Sequence, residues 1–188
     1  MKQSVREYSR VHDFSDTRTS SSIVTDAFEI PADYGKKRGL PPQAEATELV
    51  SIGTTPDGRD FQLSPEAAQA WVRMRDAASS SGIALVALSG FRSVKRQAAI
   101  ITAKIAAGQS IDDILRTIAA PGFSEHHTGR AVDIAVPERP TLTEAFAESA
   151  AFTWLASHAL EYGFSLSYPR GNAHGIVFEP WHWCFRHQ

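Results

Sequence analysis

The chain has 188 residues, 43% of them hydrophobic and 21% charged, enough for one domain with a full core and unlike the composition of a disordered chain. A formal net charge of -2, with no Lys/Arg block that rises above scattered surface charge, leaves no footprint for nucleic acid or for an anionic membrane surface. No run is long and apolar enough to span a bilayer, residues Met1 to Arg10 lack the apolar stretch of a secretory signal, and one cysteine, Cys184, excludes an intrachain disulfide framework, so a cytoplasmic protein is expected.

Residues 1–45 show little periodicity. Thr17 to Thr25 is rich in Ser and Thr, and Gly35-Lys36-Lys37-Arg38-Gly39-Leu40-Pro41-Pro42 is basic and turn-forming. An extended arm is expected there, lying over the domain or against a second subunit, with Lys36 to Arg38 in a solvated loop. The folded domain is expected over 46–188.

Leu49 to Ile52 and Phe61 to Leu63 flank Pro56-Asp57-Gly58, which predicts a hairpin. Ser64 stands as an N-cap before Pro65, and Ala67, Trp71, Met74 and Ala78 keep helical spacing up to Ser80-Ser81-Gly82. Ile83 to Leu88 is a short apolar run that reads as a strand and delivers Ser89-Gly90-Phe91-Arg92 to its end. Helices follow over Val94 to Ala107 and from Ser110 to Ala119, and Ala120-Pro121-Gly122-Phe123 breaks the second. Beyond the strand at Ala131 to Val136, a helix is expected within Leu142 to Gly163, and Phe164 to Tyr168 and Ile176 to Phe178 are the last strand candidates. This order predicts an α+β domain in which helices flank a mainly antiparallel sheet.

Two stretches carry chemistry. In Ser124-Glu125-His126-His127-Thr128-Gly129-Arg130-Ala131-Val132-Asp133, a histidine and an aspartate stand either side of a glycine turn. Alternation puts Asp133 on one strand face with Ala131 and Ala135, where a carboxylate needs a partner and small neighbours leave room for an ion. Phe178-Glu179-Pro180-Trp181-His182-Trp183 adds a second carboxylate and a second imidazole. His126, Asp133 and His182 form a set that zinc accepts, and three protein ligands leave the fourth tetrahedral position open, as in a catalytic site. Glu179 is then the base. Proline disfavours helix at the residue before it, so Glu179-Pro180 predicts a kinked strand or bulge that turns Glu179 and His182 into one cleft. His127 reads as a neighbour of the ligands, His174 as close enough in sequence to line the cleft, and Trp181, Trp183 and Phe185 as core first.

At these residues the chain resembles the zinc D-Ala-D-Ala carboxypeptidases of the VanY type, within the larger group that includes lysostaphin-type peptidases and the hedgehog signalling domain. The pattern Ser-x-His-x-x-Gly-x-Ala-x-Asp is met by Ser124, His126, Gly129, Ala131 and Asp133, and Glu-x-x-His-Trp by Glu179, His182 and Trp183. Ser89-Gly90-Phe91-Arg92-Ser93 with Gln97 matches a third element, in the same order along the chain. The resemblance implies that Arg92 holds the oxyanion, that Gln97 and Ser124 bind substrate, and that a terminal D-alanine is released from a peptidoglycan peptide by D,D- or L,D-cleavage without a covalent intermediate. A phage-type endopeptidase and a noncatalytic zinc-containing binding domain are the alternatives within the same group. Cys184-Phe185-Arg186-His187-Gln188 departs from the family's usual ending.

Overall fold

Three strands, paired so that the candidate ligands face one another, form the centre of the molecule. The computed structural model describes Phe28 and residues 30–186, so the expectations resting on residues 1–27, the start of the arm and the cytoplasmic location, lie outside the described residues. Strands β1 (Val50–Thr54) and β2 (Asp60–Leu63) make the predicted antiparallel hairpin. A second, four-stranded sheet has the order β3-β4-β6-β5, from β3 (Val86–Ser89), β4 (Ala131–Ala135), β5 (Phe164–Leu166) and β6 (His182–Phe185), and every pairing is antiparallel. All five residues of β4 are buried, as befits a strand paired on both edges with helices and loops packed on its faces.

Helix α1 (Tyr34–Arg38) lies in the arm and stops at Gly39 in the left-handed region. Helix α2 (Pro65–Ser80) starts at Ser64 as predicted, although the Ser64 side chain makes no capping bond; its backbone N–H donates to the Gly129 carbonyl at 2.9 Å instead. Its buried stripe of Ala67, Ala70, Trp71, Met74 and Ala78 packs with Leu63, Val132, Ile134 and Trp183 into the main core. Each large side chain fully buried there contributes roughly 1.5–3 kcal/mol. Helices α3 (Val94–Ala106), α4 (Ile111–Thr117) and α5 (Ala150–His158) are capped by Ser93, Ser110 and Ser149, each accepting from the backbone N–H three residues on.

Two local expectations give way. Ile176 to Phe178 is irregular rather than a strand, because Val177 N–H bonds to the Arg116 carbonyl and the Ile176 carbonyl accepts from Asn172. Lys36 to Arg38 is helical rather than a loop, and although both lysines are exposed, Arg38 is half-buried and bonded. The described part of the arm packs against the rest of the chain: Ile30, Tyr34 and Leu40 form a second hydrophobic cluster with Leu115, Tyr168 and Ile176. Among the described residues no helix is long and apolar enough to cross a membrane.

Candidate metal centre and its cleft

Register brings the site together. Asp133 stands directly opposite His182 on β6 and opposite Ser89 on β3, so the middle residue of the central strand meets both neighbouring strands at one level. His126 arrives from a 3-10 turn, Glu125–Thr128, that ends at Gly129 with φ 66°. Glycine is required there twice over: the backbone is left-handed, and a Cβ would lie 2.8 Å from the Ser64 nitrogen. Glu179 reaches the same place by a different route from the predicted bulge. His182 N–H donates to the Glu179 carbonyl at 3.1 Å, so Glu179-Pro180-Trp181-His182 is a turn leading into β6. A turn places first and last residues side by side, so Glu179 and His182 reach one cleft without a bulge.

The donor atoms converge. His126 Nε2 lies 3.2 Å from Asp133 Oδ2, and His182 Nδ1 lies 3.1 Å from Asp133 Oδ1. The three candidate ligand atoms all fall within 4.8 Å of one another, and all three residues are buried. A tetrahedral zinc with ligands at about 2.0–2.2 Å needs neighbouring donors roughly 3.3 Å apart, so the spacing to the carboxylate already suits the ion. The remaining ring nitrogens are occupied in the sense that this requires. His126 Nδ1–H donates to the Gly90 carbonyl at 2.7 Å, leaving Nε2 with its lone pair. His182 Nε2–H donates to Glu125 Oε2 at 3.0 Å, leaving Nδ1.

Glu125 is the residue that sequence reasoning passed over. It is buried, and besides His182 it accepts from Ser167 Oγ at 2.5 Å and from Arg186 Nη2 at 2.5 Å. Its neighbour position to His126 is a weak signal, because alternation alone would turn it away from the site; the 3-10 turn reverses that. Tyr168 was missed likewise. Its ring lies 4.9 Å from the His182 ring, and burial pushes its hydroxyl far up, so it remains a neutral donor.

The electrostatics follow from burial against pairing. Burial alone raises the Asp133 carboxyl, but the imidazoles of His126 and His182 outweigh it and hold Asp133 ionised, well below the usual range. Burial likewise opposes ionisation of Glu125, and His182 and Arg186 again prevail. Burial lowers His126, keeping it neutral. Burial also lowers His182, but its bonds to Asp133 and Glu125 dominate and lift it to about 10. Glu179, whose nearest partner is His182 Nδ1 at 3.8 Å, is pushed up to about 7, chiefly by burial.

Each expected site residue has a place. His126, Asp133, His182, Glu179, Arg92, Gln97 and Ser124 all line one cleft of about 120 Å³. Arg92 Nη2 stands 3.6 Å from Asp133 Oδ2 and 3.1 Å from Ser89 Oγ. Gln97 is fully buried and joined at both ends, accepting from Arg92 Nη1 at 3.0 Å and donating to the Ala119 carbonyl at 2.6 Å, so it orients the guanidinium besides facing the cleft. Trp181 lines the cleft, while Trp183 belongs to the core. His127 donates from Nδ1 to the Arg92 carbonyl at 2.6 Å and accepts at Nε2 from Gly122 N–H, a support for the loops rather than a donor to the ion site. His174 does not line the cleft; it bonds to the Arg38 carbonyl in the arm.

The chain is similar to several known proteins. Residues 60–188 match the family profile VanY, D-alanyl-D-alanine carboxypeptidase. The Bacillus subtilis protein YodJ is 39% identical over 165 residues, 86% of this chain, and the chain spans 58% of YodJ's length. VanXYC of Enterococcus gallinarum, a bifunctional D-Ala-D-Ala dipeptidase and D-Ala-D-Ala carboxypeptidase, is 31% identical over 67% of this chain and 68% of its own. Among solved structures, the LD-carboxypeptidase LdcB superposes with a TM-score of 0.69 at 32% identity, covering 77% of this chain and 71% of that one. The D,D-pentapeptidase VanY of a VanB-type resistance cassette, solved with Zn(II), gives 0.61 at 25% identity, over 78% and 82% of the two chains.

Proposed function

This chain belongs to the VanY family of D-alanyl-D-alanine carboxypeptidases, and on that premise we propose that it is a zinc-dependent carboxypeptidase releasing a terminal D-alanine from peptidoglycan-derived peptides. The observation that carries the reading is the convergence of His126 Nε2, Asp133 and His182 Nδ1 beside a buried Glu179 whose carboxyl sits near neutrality. His126, Asp133 and His182 would hold the zinc, which would supply an electrophile for the scissile carbonyl and bring the acidity of a water molecule to roughly 7.

The chain's own groups do the rest. Glu179 accepts the proton of the attacking water at its carboxylate and returns it to the leaving amine; burial lifts its carboxyl to about 7 in the metal-free protein, and the ion's charge would draw it down from there and keep the base ionised. Arg92 remains a cation at any working pH and, held by Gln97 and Ser89, presents fixed charge to the oxyanion of the tetrahedral intermediate. Ser124 and Gln97, at the cleft wall, bind the end of the peptide. Water attacks directly, so no covalent enzyme intermediate is required. The greater likeness to LdcB than to the D,D-pentapeptidase favours L,D-cleavage of a tetrapeptide over D,D-cleavage of a pentapeptide. The reading includes action in the cytoplasm, in keeping with Cys184 as a buried free thiol.

Glu179→Gln tests the assignment. Zinc content should be unchanged while turnover falls by about a thousandfold or more, in the range for removing a general base. Retained turnover would remove Glu179 from the mechanism.

A further inference from the structure

The cleft is walled in part by two segments that stand outside the main core: Thr117 to Ala119 at the end of α4, and Tyr168 to Glu179 ahead of β6. Leu115, Tyr168 and Ile176 pack instead in the second hydrophobic cluster, whose other large buried members, Ile30, Tyr34 and Leu40, come from the arm. The arm also supplies the polar links. Arg38 Nη1 donates to the Leu115 carbonyl at 2.7 Å, in the last turn of α4 where carbonyls lack helical partners, and to the Gly175 carbonyl at 3.2 Å in the other segment. The grip is mutual, since His174 Nδ1–H donates to the Arg38 carbonyl at 2.8 Å. The guanidinium lies over the Tyr34 ring, 5.1 Å from its centroid, and the Tyr34 hydroxyl accepts from Ala120 N–H at 3.1 Å. One side chain thus joins both walls, and its neighbour fixes the residue just beyond one of them.

This joint reaches the chemistry through backbone bonds. Val177 N–H donates to the Arg116 carbonyl at 2.8 Å, tying the two walls to each other, and Glu179 N–H donates to the Tyr168 carbonyl at 3.1 Å. We propose that Arg38 and Tyr34 are positioning residues: the arm clamps the 115–120 and 168–179 segments together, and so sets the pocket for the terminal residue of the peptide and the approach of Glu179. The family profile begins at residue 60, so the clamp stands outside the stretch that defines the family, and the functional unit extends upstream of residue 46. Both bonds come from the one Nη1 nitrogen, so lysine would keep a donor but lose the planar guanidinium that lies over the Tyr34 ring.

The proposal rests on the carboxypeptidase reading, and its test separates the two. Full-length, zinc-loaded protein is compared with Arg38→Met, which keeps the aliphatic stem, and with Tyr34→Phe, which removes only an oxygen. Hydrogen exchange is followed at 115–120 and 168–179 and, as a reference, at β4 and β6; kinetics are measured on muropeptide tetrapeptide and pentapeptide. Arg38→Met should speed exchange in the two wall segments only, and raise KM about tenfold at unchanged zinc content, the scale expected for losing hydrogen bonds from a charged donor. Tyr34→Phe should do the same more weakly, with its exchange effect confined to 115–120. Unchanged exchange and KM in both variants overturns the clamp, and so does faster exchange spread through the reference strands, which would make the arm a general stabiliser. If the parent protein turns over neither peptide, the carboxypeptidase reading fails and the exchange pattern alone decides for or against the clamp.

Discussion

Replacing Glu125 by Gln probes how the metal site is held without touching a ligand. The carboxylate accepts three bonds, from His182 Nε2, Ser167 Oγ and Arg186 Nη2, and is buried. An amide of the same shape has one oxygen. If that oxygen faces His182, the NH2 meets the Arg186 guanidinium; if it faces Arg186, the NH2 meets the Nε2–H of His182, and the imidazole is driven to carry its proton on Nδ1, the atom that the ion needs. Outer-shell carboxylate losses of this kind weaken metal binding about 10–100-fold, or ~1.4–2.7 kcal/mol. A second effect opposes it. Glu125 helps to raise His182 to about 10, so without it less work is needed to displace the proton from Nδ1. The loss is therefore larger in mildly alkaline buffer than at neutrality. Competition with a fluorescent zinc chelator at both pH values reads the effect, with thermal melts of the metal-free protein to confirm folding. An unchanged zinc affinity in a folded variant would refute the argument that Glu125 sets the His182 tautomer.

Other expectations follow from the same contacts. Asp133→Ala leaves His182 and Arg92 without their shared buried anion, so the metal-free protein should lose about 3–5 kcal/mol in denaturant melts and should not bind zinc stoichiometrically. Gly129→Ala forces a Cβ against the Ser64 nitrogen at a left-handed position and should cost about 1–3 kcal/mol in the same melts. His182 binds a proton more tightly folded, at about 10, than its ordinary 6.5, so its contribution to stability in the metal-free protein is complete below 6.5 and is lost as pH rises toward 10. Asp133 and Glu125 are depressed from 3.8 and 4.5, so their contribution is present above those values and is lost as pH falls below them. Melts across pH should show decline on both flanks. In turnover, Glu179 must be ionised, so kcat/KM should rise with pH on an acidic limb at or below about 7, since the ion's charge lowers the value set by burial; Glu179→Gln should abolish that limb.

Much of this arrangement was legible in the chain because it is local. A glycine turn next to an alternating strand announces His126 and Asp133, and a Glu-Pro-Trp-His run announces Glu179 and His182. What the sequence could not convey was register: nothing in it says that Asp133 pairs with His182 across β4 and β6, the fact that makes two motifs one site. The turn at Glu179 was misread as a bulged strand, because proline excludes helix at that residue without distinguishing a turn from a kinked strand. Glu125 was hidden for a related reason, since a 3-10 turn puts successive residues to work where a strand would separate them. His174 and Arg38, 136 residues apart, meet only through the packing of the arm, which no local pattern records.

The central claim is that a zinc held by His126, Asp133 and His182 allows this chain to remove one D-alanine from the end of a peptidoglycan peptide. Zinc-loaded protein incubated with matched muropeptide tetrapeptide and pentapeptide, and followed by mass spectrometry, tests it most directly. The account predicts loss of one D-alanine, from the tetrapeptide in preference, abolished by a chelator and restored by zinc. Stoichiometric zinc with both peptides left intact would contradict it.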